Sequence, residues 1–178
     1  MIHLYLTAAS GGESETAHKL LSDVLGEKYG ISQPQLSYGS QGKPFLPGGP
    51  HFSISHSRGQ VALAVSDAPL GLDVEVVRPF LEKLPQRIFS PQELRWFQAR
   101  FSTQVDFFTL WTLKESYYKY TGTGILGFPN GTDFYQDEQR QWHLDGQKLW
   151  FHVLEEKKLL LTLCCQEKQE IRIHRIGS

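Results

Sequence analysis

The sequence has few cysteines, no long apolar run and almost no net charge. Its two cysteines, Cys164 and Cys165, are neighbours that would point to opposite faces of a strand, so neither a disulfide framework nor a metal cluster is expected. The longest apolar runs, such as residues 159–165, are far shorter than the roughly 20 residues of a membrane-spanning helix. The formal net charge of -1 does not favour bulk nucleic-acid binding.

The amino terminus also lacks the features of a secretion signal. Residues 1–6 contain neither a basic leader nor a small-residue cleavage site. Because no membrane span is expected either, we expect a cytoplasmic protein. With 178 residues, the chain is long enough for one large hydrophobic core or two small ones.

Hydrophobic periodicity predicts three helices. The first follows Ser14, which is suited to cap it, and has apolar residues on one face. The second follows Ser90, where Glu93 completes a capping box. The third runs from about residue 106 to residue 120. Its end is marked by two glycines, Gly122 and Gly124.

Strands are predicted on either side of these helices, and a glycine- and proline-rich segment, residues 38–50, is predicted to be a loop without strand pairing. After an opening strand, the predicted strands are residues 52–56, 61–66, 70–76, 149–154, 159–165 and 171–176. This order predicts an α+β protein of two similar halves, residues 1–72 and 73–178. No residue-level repeat proves a duplication.

Two acids share one face of the strand that begins near Leu70. Asp73 and Glu75 alternate with apolar residues, so their α-carbons should lie about 6.6 Å apart on the face opposite the core. Two carboxylates about 4 Å apart repel by about 4 kcal/mol at an effective dielectric of 20, unless a proton or metal intervenes. Mg²⁺ suits such oxygen ligands. The alternative is a solvated acidic edge, which the Asp-x-Glu pattern alone favours.

Charged side chains also cluster on the third predicted helix. Trp111, Glu115 and Lys119 form one stripe, and Lys114 flanks it. The alternative here is an ordinary surface ion pair between glutamate and lysine. On the loop and the first hairpin, the residues suited to bind phosphate are Lys43, Ser55 and His56, each of which has an equally ordinary structural explanation.

These features form four motifs in one order along the chain. The motifs are Gly42-Lys43-Pro44, Phe52 to Ser57 (F-S-I-S-H-S), Gly71 to Glu75 (G-L-D-V-E) and Trp111 to Lys119 (W-T-L-K-E-S-Y-Y-K). From about Gly42 to Gly127, the sequence thereby resembles the surfactin-synthetase-type 4'-phosphopantetheinyl transferases. The resemblance implies a pseudo-twofold fold of two similar α+β halves, with coenzyme A in the cleft between them.

The resemblance also implies a set of site residues. The magnesium ligands would be Asp73, Glu75 and Glu115. The phosphate-binding and catalytic lysines would be Lys114 and Lys119, and further coenzyme contacts would come from Lys43, Ser55 and His56. Longer relatives hold the coenzyme's 3'-phosphate with a basic stretch before the first helix. Only Ala17-His18-Lys19 is similar to that stretch, so we assign Lys19 to the 3'-phosphate.

The reaction that the resemblance implies is attack of a carrier serine on the pantetheine-side phosphorus of coenzyme A. Mg²⁺ would bridge the pyrophosphate, lysines would neutralise its charge, and 3',5'-ADP would leave. Glu115 is the candidate general base, directly or through a water. Glu93 has a counterpart that contributes to activity in the family, but we assign it first to helix capping.

The partner implied by the resemblance is an acidic acyl or peptidyl carrier protein, met by a monomer with a pseudo-dimeric fold. Five basic residues outnumber Glu82 and Glu93 in one segment and would steer such a partner: Arg78, Lys83, Arg87, Arg95 and Arg100. The alternative is a solvated helical region. Two rival functions use the same residues, namely another Mg²⁺-dependent phosphoryl-transfer or pyrophosphate-cleaving enzyme, and a noncatalytic coenzyme-A-binding module.

Overall fold

The computed structural model describes residues 1–123 and 132–177. The first part of the chain forms β1 (Ile2–Ala8), α1 (Glu13–Tyr29), β2 (Ser37–Tyr38), β3 (Pro44–Phe45), β4 (His51–Ser57), β5 (Gln60–Ser66) and β6 (Leu70–Val76). The second part forms α2 (Pro85–Ile88), α3 (Pro91–Ala99), α4 (Gln104–Thr121), β7 (Phe134–Gln136), β8 (Trp142–Leu144), β9 (Trp150–Glu156), β10 (Leu159–Cys165) and β11 (Ile171–Arg175). All the helices and strands that the sequence predicts are present, in a mixed α and β architecture.

The first sheet has the strand order β11-β1-β5-β4 and is covered on one face by α1. Apolar residues of α1 pack against alternate residues of β5 and bury that face. The predicted cap at Ser14 is wrong, because the extended backbone at Gly12 starts the helix at Glu13 and Ser14 is already helical. Gly30, with φ of 68°, ends α1 in the left-handed conformation that glycine adopts readily.

The second sheet has the strand order β6-β10-β9, and α4 packs across β6 and β10. Cys164 and Cys165 are buried free thiols in two different hydrophobic clusters, on opposite faces of β10. This agrees with the prediction that the two neighbouring cysteines point to opposite faces of a strand. None of the helices within residues 1–123 and 132–177 is long and apolar enough to cross a membrane.

Each of the two sheets contains strands from both parts of the chain. β11 comes from the last described residues, yet it pairs in parallel with β1 in the first sheet. The predicted boundary between residues 72 and 73 lies inside β6. The division into two similar halves therefore stays a prediction.

Short elements account for the remaining differences from the predicted fold. The loop of residues 38–50 was expected to have no ladder, but β2 and β3 form a two-residue antiparallel pair, in which Pro44 lies at an end where few hydrogen bonds are needed. The elements α2, β7 and β8 are too short to give a periodic signal. Gly122 ends α4 as predicted, with φ of 71°, whereas Gly124 lies outside the described residues.

Candidate active site

Three serines of β4 hold the edge of β6. Because they occupy alternate positions of one strand, their side chains point to the same side. Their hydroxyl oxygens accept backbone N–H groups of β6, in the pairs Ser53 with Leu72 (2.9 Å), Ser55 with Val74 (3.2 Å) and Ser57 with Val76 (3.3 Å). β4 and β6 are edge strands of different sheets. The hydroxyls thus take the place of backbone carbonyls where the two sheets meet.

Two of these serines also bind the two acids of β6. Ser55 donates its hydroxyl proton to Asp73 Oδ1 at 2.8 Å, and Ser57 donates to Glu75 Oε2 at 2.6 Å. The alternate residues Leu72 and Val74 lie in a hydrophobic cluster. The predicted placement of both acids on the face opposite the apolar residues is confirmed.

Helix α4 brings Glu115 and Lys119 to these acids. Lys119 Nζ donates to Asp73 Oδ1 at 2.7 Å and to Ser55 Oγ at 2.8 Å. Burial, followed by the carboxylates of Asp73 and Glu75, raises the pKa of Glu115 to about 7. Burial also raises the pKa of Asp73, although Lys119 opposes this effect. The carboxylates of Asp73 and Glu75 therefore lie close enough to act on Glu115, as carboxylates at one site do.

The close approach of α4 to β6 depends on Gly71. A Cβ at this position would lie 2.0 Å from the carbonyl oxygen of Ser116 and 2.4 Å from the backbone nitrogen of Tyr120. Only glycine leaves room for α4 there. The glycine of the G-L-D-V-E motif thus lets α4, which carries Glu115, lie close against β6, a role that the sequence pattern did not reveal.

The chemistry of the carboxylates fits a hard divalent cation. Asp73 Oδ2 and Glu115 Oε1 are buried without a hydrogen-bond partner among the described residues, which is costly for carboxylate oxygens. No three His, Cys, Asp or Glu side chains of the described residues form a ready-made metal cluster. The Lys119 ammonium binds Asp73, and the Arg78 guanidinium binds Glu75. The donor set suits Mg²⁺, and a magnesium site stays a proposal.

A cavity of about 450 Å³ opens beside the acids. Five of the predicted site residues line it, namely Lys43, Ser55, His56, Glu115 and Lys119. The volume lies in the range usual for ligand sites. The structure therefore brings together, on one cavity, residues from three of the four sequence motifs and both charged residues of the α4 stripe.

Lys43 and His56 are each held at the cavity wall by a distant group. Lys43 Nζ donates to the carbonyls of Leu70 and Tyr120 at 3.3 and 3.4 Å, and burial lowers the pKa of this lysine. His56 Nδ1 lies 2.8 Å from Glu13 Oε2. Glu13 also accepts the backbone N–H of Gly59, and this bond, followed by His56, lowers the pKa of Glu13. Sequence reasoning missed Glu13, whose one signal is its place in the first turn of α1.

Lys114 does not lie where the resemblance implied. Its side chain is 2% exposed, its Nζ lies 2.9 Å from Glu93 Oε2, and it donates to the carbonyl of Thr132 at 3.1 Å. It does not line the cavity. The charge assigned to a coenzyme phosphate is instead paired inside the protein. The capping box of Glu93 with Ser90 is confirmed, with bonds of 2.8 and 3.2 Å.

Lys19 also lies away from the cavity. Its side chain is 74% exposed and pairs with Asp23 at 2.6 Å, one turn along α1. The neighbouring His18 lines the cavity instead, because adjacent helical residues point in directions about 100° apart. The expectation that Lys19 holds the 3'-phosphate is not supported by this placement, and His18 is a residue that sequence reasoning missed.

Replacing Glu115 with glutamine is expected to flatten the pH dependence of stability. Because the pKa of Glu115 is raised from 4.5 to about 7 on folding, the folded protein holds this proton more tightly than the unfolded chain does. The free energy of unfolding therefore falls as pH rises through this window, by on the order of 2–3 kcal/mol for this one group. Urea unfolding of the metal-free proteins at about pH 5 and about pH 8 measures the effect. Equal falls in both proteins would contradict the burial of an ionisable Glu115.

Comparison with known proteins agrees with this geometry. The model of the 4'-phosphopantetheinyl transferase superfamily matches residues 69–168, the segment that contains β6 and α4. A 4'-phosphopantetheinyl transferase of Bacillus subtilis is 37% identical over 123 residues, which are 62% of this chain and 55% of the relative. The transferase HetI of Nostoc sp. is 36% identical over 118 residues, 60% of this chain and 50% of the relative.

The relatives are longer than this chain. A third, the transferase gsp of Aneurinibacillus migulanus, is 42% identical over 86 residues, 47% of this chain but 36% of its own length. The chain spans about half or less of the curated relatives that it matches. The superfamily match nevertheless covers more than half of the chain and includes the acids of β6 and α4. Sequence similarity and site geometry thus lead to one conclusion, that this chain belongs to the 4'-phosphopantetheinyl transferase superfamily.

Proposed function

We propose that this chain transfers the 4'-phosphopantetheine arm of coenzyme A to a serine of an apo carrier protein, with release of 3',5'-ADP. The proposal rests on one observation. A cavity of about 450 Å³ lies beside the cluster of Asp73, Glu115 and Lys119. A diphosphate substrate needs cations for its oxygens and acids for a divalent metal. Lys43, Lys119 and Glu115 line this cavity, and Asp73 binds Lys119.

We assign Lys43, His56 and Lys119 to bind the coenzyme phosphates. Ser55 supports Lys119, because its hydroxyl oxygen accepts a hydrogen bond from Lys119 Nζ at 2.8 Å. The bonds of Lys43 to two carbonyls are long, at 3.3 and 3.4 Å, so a phosphate oxygen would compete well for its ammonium group. We add His18 to the wall that receives the coenzyme. The direct coenzyme contacts first assigned to Lys114 and Lys19 are not part of this proposal.

The ligands of Mg²⁺ are assigned to Asp73, Glu75 and Glu115. The oxygens that are buried without partners among the described residues, Asp73 Oδ2 and Glu115 Oε1, favour this assignment. When bound, the ion would neutralise the diphosphate and orient it for displacement. The serines of β4 bind Asp73 and Glu75, and the absence of a side chain at Gly71 lets α4, which carries Glu115, pack closely on β6.

Glu115 is assigned as the general base. It would take the proton of the carrier serine, directly or through a water, while the serine oxygen bonds to the pantetheine-side phosphorus. The bond from this phosphorus to the bridging oxygen breaks, and 3',5'-ADP leaves with that oxygen. A glutamate that binds the metal beside the diphosphate also lies near the incoming serine hydroxyl, which is what a general base needs.

An acidic carrier protein is the proposed partner. Of the five basic residues predicted to steer it, Arg78 is paired with Glu75 at 2.6 Å and Arg100 with Asp106 at 2.7 Å. The steering charge is therefore assigned to the three exposed residues Lys83, Arg87 and Arg95. The pseudo-twofold relation of the halves, a monomeric state and a cytoplasmic location remain predictions.

The decisive experiment incubates the protein with coenzyme A, Mg²⁺ and a panel of apo carrier proteins. Mass spectrometry should show the mass of one phosphopantetheine arm added to the carrier serine, and this gain should require Mg²⁺. Glu115→Gln should lose at least about 100-fold in turnover, as general bases contribute, whereas Glu27→Gln, an exposed control on α1, should not.

The failures of this experiment are informative. Near-normal turnover of Glu115→Gln with Mg²⁺ in excess would remove Glu115 from the chemistry. Tight binding of coenzyme A without transfer to any carrier would indicate a noncatalytic binding module. Cleavage of the pyrophosphate without a carrier would indicate a different phosphoryl-transfer enzyme.

A further inference from the structure

Glu75 is held by two donors at one of its oxygens. Glu75 Oε2 accepts the hydroxyl proton of Ser57 at 2.6 Å and a guanidinium proton of Arg78 Nη1 at 2.6 Å. Arg78 is fixed in turn, because it donates to the carbonyl of Val76 at 2.8 Å and lies over the ring of Phe108 at 4.6 Å. Charge-assisted bonds this short hold a carboxylate firmly in one rotamer.

Asp73, the other acid of β6, is held in the same way. Asp73 Oδ1 accepts from Ser55 and from Lys119, and Asp73 Oδ2 has no partner among the described residues. For Glu75 likewise, both observed bonds go to Oε2, and none within the described part of the chain goes to Oε1. Each acid thus has one oxygen bound by a serine of β4 and a cation, and one oxygen left open.

We propose that Arg78 and Ser57 are positioning residues that hold Glu75 Oε2 so that Oε1 is presented, as a single oxygen, to a divalent cation. The inference rests on the proposed function, which assigns Glu75 to the metal. It gives Arg78 a role inside the site rather than in carrier steering, which the sequence predicted for it. Groups that orient metal ligands in this way typically change metal affinity when they are removed.

Arg78 allows a test in which charge and position have opposite effects. Removing a cation near a metal site strengthens cation binding by simple electrostatics. If the main effect of Arg78 is to orient Glu75, then Arg78→Met should instead weaken binding. A weaker affinity in this variant therefore cannot come from the lost charge.

The experiment measures the affinity of the metal-free, full-length protein for Mn²⁺ by electron paramagnetic resonance, with no coenzyme or carrier present. Arg78→Met and Ser57→Ala should each raise the Kd for Mn²⁺ by about tenfold or more, and Arg78→Lys should restore part of the affinity. Arg172→Met is the matched control, since it removes an exposed charge on β11, outside the site, and should leave the Kd unchanged. Thermal unfolding checks that each variant is folded, and Ser57→Ala serves if Arg78→Met is not.

Two results would overturn the inference, and they are distinguishable. If the unaltered protein binds Mn²⁺ and Arg78→Met and Ser57→Ala bind it as tightly or more tightly, then the positioning role is wrong and the metal site stands. If the unaltered protein does not bind Mn²⁺, the magnesium-dependent function itself fails, and the inference fails with it.

Discussion

Replacing Gly71 with alanine is expected to destabilise the protein by at least about 3 kcal/mol, and to abolish divalent-metal binding. The added Cβ would lie 2.0 Å from Ser116 O, 2.4 Å from Tyr120 N and 2.9 Å from Tyr120 Cα. These are backbone atoms of α4, so no side-chain rotation can relieve the overlap. Overpacking of this kind costs about 1–3 kcal/mol where side chains can adjust, and more where they cannot.

The consequence for the site follows from the position of α4. This helix carries Glu115 and Lys119, and it must move away from β6 to accommodate the methyl group. Lys119 would then lose its bond of 2.7 Å to Asp73. Urea unfolding and Mn²⁺ titration of the same protein measure both effects.

Gly39 offers a matched control for this substitution. A Cβ at Gly39 would meet its nearest atom, the carbonyl oxygen of Lys43, at an ordinary 3.7 Å. Gly39→Ala should therefore change stability by less than about 1 kcal/mol. If Gly71→Ala is as stable as Gly39→Ala, then α4 does not pack against β6 as closely as the structure shows.

Replacing Glu93 with glutamine is expected to cost about 3–5 kcal/mol, the usual effect of removing one partner of a buried ion pair. Glu93 is fully buried and lies 2.9 Å from the ammonium of Lys114, which is 2% exposed. Glu93 Oε1 also accepts the backbone N–H of Phe134 at 3.0 Å. From the sequence, Glu93→Gln should preserve the helix cap while deleting a charge. The structure changes this expectation, because the glutamine leaves a buried lysine without its anion.

A double-mutant cycle tests the pair directly. Lys114→Met removes the cation and keeps much of the side-chain volume, so alone it should also cost about 3–5 kcal/mol. The variant with both substitutions should cost much less than the two losses added together, since it leaves no unpaired charge. Additive losses would show that Glu93 and Lys114 do not interact.

The double variant also tests the role first assigned to Lys114. A phosphate-binding lysine would be needed for phosphopantetheine transfer even in a stable protein. If Lys114 acts only through its ion pair with Glu93, the double variant should fold and retain most of its transfer activity. A stable double variant with little activity would return Lys114 to the list of coenzyme contacts.

Most of the fold could be predicted from the local pattern. The alternation in Gly71 to Val76 and the caps at Ser90 and Gly122 are signals that span only a few residues, and all were confirmed. Ser14 shows the limit of such signals, since its residue type suits a cap but the helix begins one residue before it. The pairing of β11 with β1 joins residues far apart in the chain, and no local pattern predicts it.

The candidate site was likewise only partly predictable from the sequence. The resemblance implied Asp73, Glu115 and Lys119. In the structure, Glu115 and Lys119 line the cavity, and Asp73 binds Lys119. Glu13 and His18 were missed, because an acid or a histidine on a surface helix is usually only solvated. Their significance depends on what α1 faces after it packs on the first sheet.

By itself, the sequence determined which side chains share a face, because strand and helix periods fix the directions of neighbouring residues. Asp73 and Glu75 on one side of β6 follow from that rule alone. Only the tertiary structure decided which charges meet. Lys119 binds Asp73, Lys114 binds Glu93, and Arg78 binds Glu75. The physical reason is that two of these three pairs join distant parts of the chain and all three lie at least partly buried, so their partners are set by how α4, α3 and the two sheets pack.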